Sequence, residues 1–228
     1  RDARTDEERR FARTLTLDWI GREGQFSRDS WNPALTARRV LNWLRHYNIL
    51  VEGAAPEQVQ QIARSLATQI SSLKLRAMLA TDPVDALLVA IALVGVALCS
   101  DRPNAEVEAR VRHVLNLVDN QIDEDGLHRT RSAKIQIQLL IELITIKLAL
   151  RRDHEQASRD LEELTESMHR ALDAISLGTG EPAYFNGTGQ MPHDLIVAIQ
   201  AQSAARARQT GTAGGYGRLI AGRSIVVA

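Results

Sequence analysis

A histidine and two arginines share one polar break in an otherwise helical chain, Asp125-Gly126-Leu127-His128-Arg129-Thr130-Arg131-Ser132. An imidazole can carry a proton near neutral pH, and a guanidinium can grip a carboxylate through two parallel hydrogen bonds. A second polar break, Ala183-Tyr184-Phe185-Asn186-Gly187, adds a phenol able to transfer a proton and an amide able to bond a ligand. His128 and Tyr184 are therefore the candidate catalytic residues, and Arg129, Arg131 and Asn186 the candidate substrate contacts. Each has a plainer reading beside it. His128 fits a helix junction, Arg131 a helix end or nearby acid, Tyr184 a packed ring with a bonded hydroxyl, and Asn186-Gly187 a tight turn. Asp123, Glu124 and Asp125 read as a solvated turn rather than a cation site.

The elements that must position these breaks are helices. Phe11, Leu15 and Trp19 recur at helical spacing, as do Ala37, Leu41 and Leu44 after the cap and first-turn pair Asn32-Pro33. Val59, Ile62, Leu66, Ile70 and Leu73 make a third stripe. Asp82-Pro83 opens a fourth helix that is apolar on all faces, as suits one surrounded by others. Val107, Val111, Val114, Val118 and Ile122 make the fifth stripe, Ile135–Leu150 a second almost wholly apolar helix, and Leu161, Leu164, Met168, Leu172 and Ile175 the seventh. Turn-like connections at Glu52–Pro56, Ser100–Asn104 and Asp123–Thr130 suit antiparallel hairpins with one helix of each pair inside. No fixed-period repeat stands out. Thr210–Gly215 reads as a linker or tight turn, and Tyr216–Val227 as two short strands around a glycine turn, not stable without a sheet to complete them.

Composition narrows the classes. Net charge is zero and pI is about 7.2, which argues against a generic nucleic-acid binder. Only Lys74, Lys134 and Lys147 are lysines, so arginine dominates the positive charge, a bias that suits anionic ligands or simply reflects the source genome. A single cysteine, Cys99, allows no intrachain disulfide and no CxxC site, and reads as a small core residue. The run Ala86–Cys99 is shorter than the roughly 20 residues a bilayer span needs. The first residues read as neither a signal peptide nor a natural start; a soluble protein is expected, its compartment, periplasm or cytoplasm, left open.

The layout resembles the heparinase II/III-like family of polysaccharide lyases. The resemblance rests on Ala37–Leu44, Asp125–Ser132, Ala183–Gly187 and Gly214–Gly222, which occur in the family's order and together cover the chain. It implies an incomplete (α/α) toroid followed by an antiparallel β-sandwich. The fold expectation is thus all-α over residues 1–209, with residues 210–228 as linker and first strands of a β-sheet domain of the same protein. It also implies β-elimination on an acidic, uronate-containing polysaccharide, without cofactor or metal. A polar donor neutralises the uronate, a tyrosine or histidine removes the acidified proton, and the carbanion-like state is stabilised electrostatically. Trp31, just before a helix, becomes the candidate for stacking on a sugar, while Trp19 and Trp43 belong to apolar stripes.

This chain departs from that pattern. Active members carry an Asn-His segment where it reads Asp82-Pro83-Val84-Asp85-Ala86-Leu87, and a tyrosine where it reads Ala133-Lys134-Ile135-Gln136. The expectation is a lyase-like protein with catalytic positions partly lost, inactive as this chain alone. The alternatives are a non-catalytic glycan-binding module and a helical scaffold for protein partners.

Overall fold

The computed structural model describes residues 5–100, 103–150, 154–203, 211–222 and 224–228. Asp101 and Arg102 of one expected connection, Thr210, Arg223 of the strand turn and the 209/210 boundary lie outside them. Nine α-helices and three short strands occur among the described residues, and contacts divide the chain into two units, 1–102 and 103–228. The expected helical class holds: no strand precedes Gly211 among the described residues.

The first unit holds α1 (Asp6–Glu23), α2 (Pro33–Arg45), the short α3 (Tyr47–Val51), α4 (Pro56–Arg76) with a 3-10 turn at Ala77–Leu79, and α5 (Pro83–Leu98). Local chemistry sets the starts. Thr5 and Glu8 cap α1 reciprocally, Asn32 accepts from the Ala34 amide at 2.9 Å, and Asp82 accepts from Val84 and Asp85. The apolar α5 packs against α2, and Gly95 lets Leu41 approach it closely. Val40, Trp43, Leu50, Ile62, Leu66 and Val96 form a core against which Leu17, Trp19 and Ile20 pack.

The stripe expected on α1 is placed differently. Phe11 and Leu15 are 65% and 53% exposed, whereas Arg13 is buried. Its guanidinium donates to the carbonyls of Leu50, Glu52 and Gly53, satisfying the end of α3 and the turn after it. That bonding turns α1 so that the Phe11 and Leu15 face points outward. Cys99, expected in a core, is exposed at the C-cap of α5.

The second unit holds α6 (Asn104–Asp119), α7 (Ala133–Ala149), α8 (Glu155–Ala174), α9 (His193–Gln200) and the antiparallel strands β1 (Gly211–Ala213), β2 (Tyr216–Ala221) and β3 (Ser224–Val227). Helix α7 packs on α8, and β1 and β2 lie against α8. The β2–β3 pair matches the expected two strands, with Leu219 opposite Val226. The stretch expected as a linker instead supplies β1, paired with β2 from Gly211–Arg218 to Ala213–Tyr216. The sheet is docked rather than loose. Ala213 is fully buried, the Arg218 Nε donates to the Ser176 carbonyl at 3.0 Å, and the Gly214 amide donates to Asp125 Oδ2 at 3.2 Å.

One loop occurs twice in this unit. After α6, Ile122 bridges His128, with Asp123 N–H donating to Leu127 O and Arg129 N–H to Gln121 O. After α8, Ser176 bridges Pro182, with Leu177 N–H donating to Glu181 O and Ala183 N–H to Ile175 O. Every partner is displaced by 54 residues (122 to 176, 128 to 182), and Gly126 and Gly180 occupy equivalent positive-φ positions. The helix-plus-loop unit is therefore repeated, although the two loop sequences share only the glycine.

Candidate loop-junction site

The two polar breaks meet within the second unit. Asn186 Nδ2 donates to the Arg131 carbonyl at 3.1 Å and to the Tyr216 hydroxyl at 2.8 Å. The Thr188 hydroxyl lies 3.3 Å from the Ser132 hydroxyl and accepts from the Lys134 amide at 3.3 Å. Arg131 and Asn186 both adopt the left-handed conformation, at φ 56° and 49°, which non-glycine residues seldom occupy. The Phe185 and Tyr216 rings stack with centroids 4.8 Å apart, and the Arg131 guanidinium lies 5.9 Å from the Tyr216 centroid. The outward face of the junction carries Arg129, Arg131, Lys134, Tyr184 and Asn186, all exposed.

Beneath that face the first break is tied down. Asp123 Oδ1 accepts from the Asp125 and Leu127 amides, and Gly126, at φ 89°, fits where an added Cβ would come within 2.6 Å of Ser167 backbone. Gln136, fully buried, accepts from the His128 amide at 2.8 Å and donates to the Gly126 and Met168 carbonyls at 2.8 and 3.1 Å. Sequence reasoning gave Gln136 no role of its own. A glutamine inside an almost wholly apolar helix was the available signal, because a buried amide needs partners.

His128, the candidate catalytic histidine, lies buried inside the first loop. It is 3% exposed, and its Nδ1 accepts from the Thr130 amide at 3.2 Å, which places the ring proton on Nε2, 3.4 Å from Gln121 Oε1. Both nitrogens serve the loop. Trp31, in the first unit, offers no face for stacking. It is 2% exposed, its Nε1 donates to the Glu23 carbonyl at 2.8 Å, and Arg39 lies 5.8 Å from its centroid and 4.1 Å from that of Trp19. Burial pushes the Arg39 guanidinium down to about 10, opposed by Glu23. Tyr184 is half exposed and donates to Glu181 at 3.3 Å. Partial desolvation, and then the Glu181 carboxylate, raise its phenol, the wrong direction for a tyrosinate base. Desolvation and then Asp82 raise the Asp85 carboxyl, and Arg38 partly offsets them. No group of His, Cys, Asp or Glu suited to a metal ion occurs among the described residues.

By its fold the chain is a mostly helical protein with a small antiparallel sheet at its C-terminal end. FtsZ-localized protein C of Caulobacter vibrioides (strain NA1000 / CB15N) is 27% identical to it over 221 residues, 96% of this chain and 38% of the relative. The chain thus spans about two fifths of the length of the curated relative it matches. No family model and no solved structure matches. The likeness corrects the lyase expectation. A relative aligned along nearly the whole chain is named for localisation with FtsZ, not for polysaccharide cleavage. No described helix is long and apolar enough to cross a membrane.

Proposed function

We propose that this chain is a non-enzymatic helical scaffold for protein partners that works with the FtsZ assembly in the cytoplasm. The observation carrying this reading is the likeness to FtsZ-localized protein C across 96% of the chain. The site agrees with it, since the histidine that chemistry would need is spent on holding a loop, while arginine and aromatic side chains remain outside. Such side chains are enriched where proteins bind proteins.

The heparinase II/III-like resemblance enters this proposal as architecture without the activity. The loop repeated after α6 and α8 supports hairpins arranged as an incomplete toroid, whereas the docking of the three strands on α8 weakens the case for a separate β-sheet domain. The test is a pull-down in which the immobilised chain is offered purified FtsZ from its source organism. Saturable retention, absent from an unrelated helical protein of similar charge, is expected. No retention at micromolar concentrations would overturn the reading.

A further inference from the structure

The first unit carries an open groove of about 710 Å³ that includes Asp85 and borders Trp31 through Arg76 and Asn32. Its walls come from the segment before α2, the first turns of α2, the end of α4 with its 3-10 turn, and the start of α5. Leu35 and Leu79 line it and are 51% and 59% exposed. Phe26, which faces the Arg76 guanidinium, and Met78, next to Leu79 in the chain, are also exposed, at 61% and 86%. Solvated leucines at a concavity mark an interaction surface.

Three arginines point its chemistry toward carboxylates. Arg76 is held in place, donating to the Trp31 carbonyl at 2.6 Å and lying 4.6 Å from the Phe26 centroid. Arg28 and Arg38 line the same groove, and neither forms an ion pair or hydrogen bond to a side chain among the described residues. The opposing charges are Asp29 and Asp85, and Arg38 already acts on the Asp85 carboxyl. Two acids within the groove disfavour a nucleic-acid backbone, and the exposed leucines disfavour a small inorganic anion.

We propose that this groove docks a short acidic segment of a protein partner. A glutamate or aspartate of that segment pairs with Arg28 and Arg38, and an adjacent apolar side chain lies on Leu35 and Leu79. The inference rests on the reading of the chain as a protein-binding scaffold and adds where and by what chemistry it binds. Arginine matters here because its fork meets a carboxylate through two bonds, which an ammonium cannot do.

The probe is a fluorescein-labelled, glutamate-rich peptide carrying one leucine, titrated with the full chain and followed by fluorescence polarisation. Its counterpart has glutamine for every glutamate. The acidic peptide should bind more tightly than the glutamine peptide and lose affinity as salt rises. The double variant Arg28→Glu/Arg38→Glu should weaken binding at least about tenfold. Asp85→Asn, which removes the carboxylate competing for Arg38, should tighten it. Circular dichroism melting of each variant establishes that it folds. Equal affinity for the two peptides, or affinity unchanged in a folded double variant, overturns the proposal. Failure of FtsZ to bind the unaltered chain counts against the proposed function alone, and the peptide titrations decide the groove.

Discussion

Gln136 shows how one buried amide can specify a loop 10 residues away. It satisfies an N–H and two carbonyls that burial would otherwise leave bare. Gln136→Ala should therefore destabilise the chain by about 2–4 kcal/mol, the cost of orphaning several buried backbone groups together. Urea unfolding measures it, and a loss under about 1 kcal/mol would mean that water takes over those bonds. His169 on α8 poses the opposite problem. It is 3% exposed and its Nε2 has no hydrogen-bond partner. Burial lowers its pKa below the ordinary 6.5; Glu166 partly offsets this, Lys147 lowers it further and Glu162 raises it. In the folded chain the ring stays neutral at a pH where the unfolded ring has begun to take up a proton. Its contribution to stability is thus complete above 6.5 and is lost as pH falls through that value toward the folded one. Urea midpoints should drop between about pH 7.5 and about pH 5.5, and His169→Gln should flatten that drop. An identical drop in the variant would assign the acid sensitivity elsewhere.

Helices and loops differ in how much of them the chain announces. The stripes of α4, α6 and α8 can be read because each faces one core: Ile62, Leu66 and Leu73, or Val107, Val111, Val114 and Val118, are all buried. The stripe on α1 misleads, because a long-range bond from Arg13 to the end of α3 outranks Phe11 and Leu15 in choosing the buried face. The two breaks were legible as polar loops, because glycine and polar residues interrupt the helical stripes there. The role of His128 was not, because its burial depends on Gln121 and Thr130 closing on both ring nitrogens. The arginine-lined groove was equally hidden, being assembled from segments as far apart as Arg28 and Asp85. Loop geometry yields a further prediction from two glycines. Gly126 (φ 89°) would drive an added Cβ into Ser167, whereas Gly53 (φ 66°) has nothing within 4 Å. Gly53→Ala should cost only about 1 kcal/mol of left-handed strain. Gly126→Ala should cost clearly more, at least about 2–3 kcal/mol, because backbone must also move. Equal unfolding midpoints for the two variants would mean that the α8 backbone at Ser167 yields freely.

At the scale of the molecule, the division at residues 102 and 103 separates two sets of buried side chains. The first unit closes around Val40, Trp43, Ile62, Leu66 and Val96. The second buries Leu127, Ile137, Leu140, Leu161, Met168 and Leu172, each at most 1% exposed, and adds the docked sheet. A unit with its own core and hydrogen-bonded loops meets the physical definition of a domain. Its small size nevertheless leaves a narrow margin of stability. Residues 1–102 and residues 103–228, expressed separately, should therefore each give helical circular dichroism and a cooperative urea transition. Gln136→Ala should shift only the second fragment, by the amount it shifts the whole chain, because all three of its backbone partners lie there. The first fragment alone should retain the acidic-peptide affinity of the whole chain, since every groove residue is within it. A first fragment that stays unfolded until mixed with the second would show that the two cores form one cooperative unit, and that contacts alone overstate their independence.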